Sequence, residues 1–245
     1  MTIDFHAHIL PGADHGSRTI DTSLFQLTAA KSVGVSTIVA TPHFYPDHHT
    51  VDDFLTRRAR SMQKLMAAYD GDISVIPAAE VLLCEGLVHL PQLPQLCISG
   101  TNVLLIEMPF FSWTRRHIES LHALHTQYTI VLAHVDRYPP DQIQALLAAD
   151  FLGQLNADSL CRLRGRKQLR QWVSQGNIVA LGSDIHGKTN AYRKFRRACT
   201  LLGHETDKLM SHTEQLLHSF SPEAVLISSE QTTRHDSKNL LDLLK

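Results

Sequence analysis

Short apolar segments rich in β-branched residues alternate along the chain with longer segments whose apolar residues recur at helical spacing. The short segments predict strands at 2–5, 37–40, 73–79, 103–108, 129–133, 154–156 and 178–182. The longer segments predict helices at 23–32, 51–69, 115–126, 141–149, 166–174, 190–202 and 206–219, with further helices at 222–227 and after residue 230. Strict alternation of strand and helix predicts right-handed βαβ units around a parallel sheet.

Seven predicted strands within 245 residues favour a closed or nearly closed (β/α) barrel over an open, doubly wound sheet. The chain contains no internal repeat and no low-complexity tract that would divide it. We therefore expect an α/β fold in a single domain that spans residues 1–245.

Composition and charge narrow the class of protein. Hydrophobic residues make up 43% of the chain and charged residues 19%, which indicates a folded protein with a substantial core. The formal net charge of -1 argues against nucleic acid as a partner. No apolar run approaches the ~18 residues of a membrane span, and no apolar segment precedes Arg18, the first basic residue, as a secretory signal would require. We expect a cytoplasmic protein without membrane insertion.

The four cysteines exclude two kinds of site. Cys84, Cys97, Cys161 and Cys199 are widely spaced and form no Cys-x-x-Cys pair, so a cysteine zinc site is excluded. None is followed by arginine six residues later, so the loop of the cysteine phosphatases is absent. We expect all four to be buried as small hydrophobic residues.

Histidine is over-represented, with 16 residues in the chain, and many of these histidines follow predicted strands. In parallel α/β folds, the groups that perform chemistry collect at the carboxyl ends of the strands. Nine imidazoles and carboxylates occupy such positions and are candidate metal ligands: His6, His8, His15, His43, Glu80, Glu107, His134, Asp184 and His186.

The spacing of these residues favours metal binding. Residues two apart on an extended chain point to the same side, so His6 and His8 can hold one ion, although an isolated pair of this kind is more often without a metal. Glu80 and Glu107 follow or interrupt apolar strands, where an unpaired carboxylate would be destabilising. Nine ligands are too many for one ion and suit two or three divalent ions. Imidazole and carboxylate donors without thiolate allow manganese, iron or zinc.

Five segments resemble the PHP superfamily, and most closely its manganese-dependent bacterial protein-tyrosine phosphatases of capsule and exopolysaccharide loci. These segments read DFHAHILPG at 4–12, ATPH at 40–43, LIE at 105–107, AHVDRY at 133–138 and SDIH at 183–186. The resemblance implies a distorted seven-stranded (β/α) barrel of the PHP type with a trinuclear metal centre. It also implies dephosphorylation of phosphotyrosine on a bacterial tyrosine autokinase.

The resemblance further implies how the ligands divide among the ions. One ion would lie among His6, His8, Glu80 and Asp184. Glu80 would bridge to a second ion held with Glu107 and His134. A third ion would lie among His15, His43 and His186.

The chain departs from the family pattern in three places. Asp14, His15 and Gly16 stand where the family has Asp-Asp-Gly, which makes the cluster richer in imidazole and leaves iron or zinc as alternatives to manganese. Neighbouring side chains diverge, so we expect His15 to be the ligand and Asp14 to support it or shape the turn. If the loop is turned by one residue, Asp14 is the ligand instead.

The other two departures concern the substrate. Asp136 stands where the family has Glu before the Arg-Tyr pair. The phosphate-binding Arg that follows the last motif in the family has no clear counterpart, and Lys188 and Arg193 are the nearest candidates. We interpret Arg137 as the catalytic group that binds the phosphate oxygens, together with Tyr138 as a substrate contact. Asp136 is interpreted as a general acid or a structural residue.

These residues predict a metal-dependent phosphomonoesterase that acts on phosphotyrosine. Two alternatives remain open. One is another PHP phosphoesterase, such as a histidinol-phosphate phosphatase or a DNA-end-processing enzyme, although the near-neutral charge argues against the latter. The other is a non-catalytic regulator that binds phosphotyrosine.

Overall fold

The structure is a computed structural model that describes residues 1–218. The helices predicted at 222–227 and after residue 230 lie outside the described residues, as does the last residue of the helix predicted at 206–219. Within the described residues, no helix is both long and apolar enough to cross a membrane.

The described chain alternates short strands with helices, as its hydrophobic pattern predicts. The strands are β1 (Ile3–His8), β2 (Thr37–Ala40), β3 (His43–Phe44), β4 (Ser74–Pro77), β5 (Glu80–Leu82), β6 (Val103–Glu107), β7 (Thr129–Leu132), β8 (Leu152–Asn156), β9 (Ile178–Gly182) and β10 (Ile185–His186). The α-helices are α1 (Ile20–Lys31), α2 (Val51–Ala68), α3 (Arg115–His125), α4 (Pro140–Ala148), α5 (Ala157–Leu160), α6 (Arg166–Gln175), α7 (Ala191–Leu202) and α8 (Glu205–His218).

The strands form two parallel sheets. One has the order β10-β1-β2-β4 and the other the order β3-β5-β6-β7-β8-β9. The predicted α/β class with parallel strands is confirmed. The described residues contain ten strands rather than the predicted seven, because β3, β5 and β10 have only two or three residues each. Such short strands carry no periodicity that a sequence could reveal.

Side chains from both sheets meet in one inner apolar cluster. On β6, Val103 and Leu105 face this cluster, whereas Leu104 and Ile106 face the surrounding helices. This alternation follows from the two-residue repeat of a strand that is buried on both sides. The inner cluster contains Phe5, Val39, Ala78, Ile98, Val103, Leu105, Val131, Ala133, Val179 and Ala180.

Local side-chain contacts fix where several helices begin and how α8 is held. Thr19 and Thr50 accept hydrogen bonds from the second or third residue of α1 and α2. Thr114 and His117 exchange hydrogen bonds at the start of α3. Helix α8 attaches to the inner cluster, since Thr213 Oγ1 donates to the carbonyl of Val179 at 2.7 Å.

The prediction that all four cysteines are buried is correct only for Cys97. Cys84, Cys161 and Cys199 are half-buried, and Cys84 and Cys161 lie near charged side chains. None of the four forms a disulfide.

Leu105→Ala tests the inner cluster. Leu105 has no exposed surface, so the substitution should lower the free energy of unfolding by about 2–5 kcal/mol through lost burial and a cavity. Urea denaturation measures the change. Met66→Ala on α2 is the control, because Met66 is 49% exposed and its loss should change the free energy by less than about 0.5 kcal/mol. Equal effects of the two substitutions would contradict the packing described here.

Candidate metal centre

His6 and His8 project from β1 with their Nε2 atoms 3.1 Å apart. The Nδ1 atom of His6 lies 3.0 Å from Oε1 of Gln154, which can only accept, so the proton of a neutral His6 lies on Nδ1. The Nδ1 atom of His8 lies 2.7 Å from Oδ2 of Asp14, which fixes its tautomer in the same way. Two Nε2 lone pairs therefore converge inside the protein, and such an arrangement requires a positive charge between them.

Glu80, the first residue of β5, lies at the middle of the site and is 1% exposed. Its Oε2 atom is 2.9 Å from His43 Nδ1, 3.2 Å from His6 Nε2 and 3.3 Å from His8 Nε2. Its Oε1 atom is 2.8 Å from His134 Nε2. Burial alone raises the pKa of this carboxyl, but the surrounding imidazoles hold it well below its usual range. Glu80 is therefore ionised, and both of its oxygens can bind a positively charged group.

His134 follows β7 and connects Glu80 to Glu107, the last residue of β6. Its Nε2 atom lies 3.5 Å from Glu107 Oε1. Burial alone lowers the pKa of His134, but the hydrogen bonds that its ring donates to the Glu107 and Glu80 carboxylates raise it to about 9. The backbone N–H of His134 donates to Gln154 Oε1 at 2.8 Å, so one amide oxygen positions both His6 and His134.

Asp184 lies between β9 and β10, and its carboxylate faces the imidazoles of His6 and His8. Its Oδ1 atom is 3.4 Å from His8 Nε2 and 3.8 Å from His6 Nε2. Its Oδ2 atom accepts hydrogen bonds from Asn156 Nδ2 at 2.9 Å and from the Arg137 guanidinium. Burial alone raises the pKa of Asp184, but the two imidazoles and the Arg137 guanidinium hold it below its usual range.

Two of these residues, His134 and Asp184, have an unusual backbone conformation. His134 and Asp184 have φ angles of 35° and 48°, and only three non-glycine residues of the described chain have positive φ. This region of backbone conformation is unfavourable for residues with a Cβ atom and concentrates at functional sites.

His15 and Asp14 point in different directions, as expected for neighbouring side chains. The His15 ring is exposed and lies with its centroid 4.7 Å from that of His43 and 4.8 Å from that of His186. Asp14 is turned toward His8 and also accepts the backbone N–H of His43 at 3.0 Å. Gly16 allows this turn, because a Cβ atom at that position would lie 2.2 Å from His8 Cβ.

The donors fit a cluster of divalent metal ions. Three triads bring their ligand atoms within 4.8 Å of one another: His8 with His43 and His186, His6 with His8 and Glu80, and His43 with Glu80 and Glu107. Glu80 Oε2 is buried and has no hydrogen bond of suitable geometry, despite the three nitrogens around it. Nitrogen and oxygen donors without thiolate suit manganese, iron or zinc. The nine candidate ligands thus lie together at one end of the sheets.

Two predicted site residues, Asp136 and Tyr138, form hydrogen bonds with other segments of the protein. Both carboxylate oxygens of Asp136 accept hydrogen bonds, from the backbone N–H of Asn156 at 2.8 Å and from Ser159 Oγ at 2.6 Å. These contacts connect Asp136 to the junction of β8 and α5, as expected for a structural residue, and its role as a general acid stays a prediction. The Tyr138 hydroxyl exchanges hydrogen bonds with the backbone of Met108, both at 3.0 Å, and the residue is 6% exposed. Its contact with a substrate stays a prediction.

The remaining cationic candidates lie at different distances from the ligands. The Arg137 side chain is 41% exposed and pairs with Asp184 at the mouth of the site. Lys188 Nζ lies 5.7 Å from the centre of the Phe25 ring on α1, and Arg193 lines a groove on the outer face of α7. Within residues 1–218, neither Lys188 nor Arg193 is hydrogen-bonded to or ion-paired with the nine candidate ligands.

The residues that support the ligands and those that line the mouth were not predicted from the sequence. A buried glutamine within an apolar strand needs hydrogen-bond partners, so the position of Gln154 could have indicated a supporting role. Nothing in the sequence indicates that two aromatic side chains lie beside the ligands. The Phe110 ring lies nearly parallel to that of His134 at 6.3 Å between centroids, and the Tyr45 ring lies nearly parallel to that of His43 at 5.1 Å.

Fold and site together define an α/β protein with a candidate metal centre of several ions at the strand ends. The model of the family described as "Capsular polysaccharide synthesis, CpsB/CapC" matches residues 2–225. The chain belongs to this family.

Individual relatives agree with this assignment. The chain is 28% identical to tyrosine-protein phosphatase YwqE of Bacillus subtilis over 196 residues, which cover 75% of this chain and 77% of the relative. It is 22% identical to tyrosine-protein phosphatase CpsB of Streptococcus agalactiae over 200 residues, which cover 75% and 82%. A crystal structure from a study of YwqE and of Streptococcus pneumoniae CpsB, described as unique metal-dependent tyrosine phosphatases, shares the fold. It matches with a TM-score of 0.73 at 23% identity and covers 90% of this chain and 96% of that chain.

Metal analysis of two neighbouring variants tests the loop between β1 and α1. His15→Ala should lose about one ion at saturating metal, because it removes a donor of the candidate cluster. Asp14→Ala should keep every ion but bind them about 10–100-fold more weakly, because it removes the partner that orients His8. The reverse pattern would make Asp14 the ligand.

Proposed function

We propose that this protein is a metal-dependent protein-tyrosine phosphatase, a phosphoric monoester hydrolase. One observation carries the proposal: four imidazoles, those of His6, His8, His43 and His134, surround the buried Glu80 carboxylate, with the Arg137 guanidinium at the mouth. The names of the relatives in the CpsB/CapC family support phosphotyrosine as the substrate.

The candidate ligands would hold two or three divalent ions, with manganese favoured by resemblance and iron or zinc as alternatives. His6, His8, Glu80 and Asp184 would surround one ion, and Glu107 and His134 would share a second with Glu80. His15, His43 and His186 would hold a third. Such ions neutralise phosphate oxygens and lower the pKa of a coordinated water, which supplies the nucleophile.

Arg137 would bind and orient the phosphate group. Its guanidinium is planar and can donate two parallel hydrogen bonds to phosphate oxygens, a geometry that lysine cannot provide. The leaving group does not demand a strong general acid, because phenol has a pKa of about 10. The engagement of Asp136 by Asn156 and Ser159 is compatible with such a reaction.

Phe110 favours an aromatic leaving group over an alkyl one. This side chain is 63% exposed, although its ring lies beside His134 at the mouth of the site. An exposed phenylalanine at this position offers an apolar face against which the tyrosine ring of a substrate can pack.

The two sheets are proposed to be the two halves of one distorted seven-stranded (β/α) barrel in a single domain. Only two residues separate β2 from β3 (Thr41 and Pro42), β4 from β5 (Ala78 and Ala79) and β9 from β10 (Ser183 and Asp184). Each of these connections joins one sheet to the other, and both sheets contribute to the inner cluster. The ten strands would count as seven if each such pair is one interrupted strand. The metal centre would then lie at the mouth of the barrel.

The substrate protein is proposed to be a bacterial tyrosine autokinase of exopolysaccharide or capsule biosynthesis, located with this protein in the cytoplasm. Membership of the capsular polysaccharide synthesis family supports this partner. The two alternatives left open by the sequence are another PHP phosphoesterase and a non-catalytic regulator that binds phosphotyrosine. Measuring the hydrolysis of different phosphoesters distinguishes both from the proposed phosphatase.

Hydrolysis of a phosphotyrosine peptide tests the proposal directly. The purified protein should release phosphate, lose the activity on treatment with a chelator and recover it when Mn²⁺ is restored. Alkylation of its thiols should leave the rate unchanged, because no cysteine lies among the candidate ligands. Binding of the peptide without release of phosphate would indicate the regulator, and faster turnover of histidinol phosphate would indicate the other phosphatase.

Arg137→Lys should lower kcat/KM by about tenfold or more, since it keeps the charge but loses the paired hydrogen bonds to phosphate. Arg115→Lys on α3 is the control, because Arg115 is 72% exposed and, within residues 1–218, pairs only with the exposed Glu119. Steady-state kinetics on one phosphotyrosine peptide measures both. An unchanged kcat/KM for Arg137→Lys would mean that Arg137 only forms a salt bridge with Asp184 and does not bind phosphate.

Phe110→Ala should lower kcat/KM for phosphotyrosine by about 2–10-fold, the value of one aromatic contact, and should leave the hydrolysis of glycerol phosphate nearly unchanged. Phe111→Ala is the matched control: Phe111 is 87% exposed in the same loop. No ring contact of Phe111 occurs within the described residues. A loss that is equal for both substrates would contradict a contact with the tyrosine ring.

A further inference from the structure

Positive charge is concentrated in one part of the chain. Residues 159–204 contain ten Lys and Arg but only one acidic residue, Asp184, whereas the whole chain has a net charge of -1. Asp184 belongs to the metal centre. The basic residues of this segment therefore have few acidic neighbours along the chain.

A groove of about 510 Å³ follows the outer face of α7, and we call it the α7 groove. Tyr192, Phe195, Ala198 and Leu202 face the core, so the polar side chains of α7 are directed outward. The α7 groove is lined by Asn190, Arg193, Lys194, Arg196, Arg197 and Thr200, with Cys161 on its other side.

Most of the positive charge in the α7 groove is not neutralised. Lys194 lies 3.6 Å from Asp158, which also pairs with Arg162 at 3.0 Å. Arg193, Arg196 and Arg197 form no ion pair within the described residues. Three guanidinium groups on one face of a helix without paired carboxylates give a positive surface, which attracts an anion.

Along the sequence, the first residue that lines the α7 groove after β10 follows the last candidate metal ligand closely. Asn190, at one end of the groove, follows His186 by only four residues. In a parallel α/β fold the helix that follows a strand starts at the carboxyl edge of the sheet, the edge where the candidate ligands lie. Helix α7 has 12 residues and is therefore about 18 Å long. An extended chain in the groove could lead directly to the mouth of the site.

The shape and charge of the groove favour an acidic polypeptide as its occupant. The remainder of this chain is a poor complement, because residues 219–245 contain four acidic and three basic residues. A flat lipid surface would first meet projecting residues such as Leu163, which is 86% exposed in the loop after α5, rather than the floor of a groove.

We propose that the α7 groove binds an acidic stretch of the substrate polypeptide next to its phosphotyrosine. The inference rests on the proposed function and adds a substrate class to it: phosphotyrosine flanked by Asp or Glu. Arg196 and Arg197 supply charge along the groove, away from the nine candidate ligands.

Two phosphotyrosine peptides that differ only in Glu or Gln at the flanking positions test the proposal. The wild-type protein, loaded with Mn²⁺, should show a higher kcat/KM for the Glu peptide at low salt. The double variant Arg196→Glu, Arg197→Glu should lower the Glu-to-Gln ratio of kcat/KM by about tenfold, because attraction becomes repulsion at two positions. The control is Arg60→Glu, Lys64→Glu on α2, where both side chains are exposed, and it should keep the wild-type ratio.

Two further measurements keep the inference separate from the proposed function and from the fold. Fluorescence anisotropy of an unphosphorylated Glu peptide measures binding to the groove without turnover, and the groove variant should bind it more weakly. If the charge reversal destabilises α7, the milder Arg196→Gln, Arg197→Gln variant should still lower the ratio by about threefold.

The outcomes are distinct. Failure of the wild-type protein to hydrolyse either peptide would contradict the proposed function, whereas anisotropy would still test the groove. Equal ratios in the wild-type protein and the groove variant would overturn the inference. In that case, sedimentation with phosphatidylglycerol vesicles would show what the groove binds instead. If the wild-type protein sediments with the vesicles and the groove variant does not, the groove binds lipid and the peptide proposal is wrong.

Discussion

The buried carboxylate of Glu80 is the constraint on which the rest of the site depends. An ionised carboxylate with almost no exposure is strongly unfavourable unless positive charge reaches it. Imidazoles from β1, β3 and the end of β7 approach its two oxygens from different directions. Glu80 can occupy this position only if elements of both sheets meet around it, so the electrostatics of one side chain and the arrangement of the strands require each other.

A layer of uncharged and acidic groups keeps the imidazoles in one orientation. The Gln154 amide oxygen holds His6 and His134, and the Asp14 carboxylate holds His8 and the backbone of His43. The ring contacts of His6 and His8 decide which nitrogen carries the proton and hence which nitrogen can face an ion. Positive φ angles at His134 and Asp184 persist because the surrounding hydrogen bonds hold those residues in place.

The metal-binding donors and the surfaces around them come from different segments of the chain. The strand ends carry the metal-binding donors, whereas Phe110 and the cationic face of α7 come from the segments that follow β6 and β10. A rigid set of donors can thus be combined with variable surroundings that select the substrate, which is how parallel α/β folds support many specificities.

The sequence by itself determined the α/β class, the strands at 37–40 and 178–182 and the gathering of nine candidate ligands at one end. Alternating hydrophobicity reports local structure, and parallel strands necessarily bring their carboxyl ends together. Tertiary structure alone decided which polar groups meet. The segment predicted as one strand at 73–79 stops at Pro77, and β5 begins at Glu80 in the other sheet.

Tertiary structure also decided the hydrogen-bond partners of side chains whose local sequence fitted a catalytic role. Asp136 and Tyr138 stand in a motif typical of the site, yet each is engaged by backbone from a distant segment. Arg193 follows the last motif closely, but the periodicity of α7 turns it toward the outer groove. The partner of a polar group depends on residues far away in the chain, and hydrophobic periodicity carries no information about them.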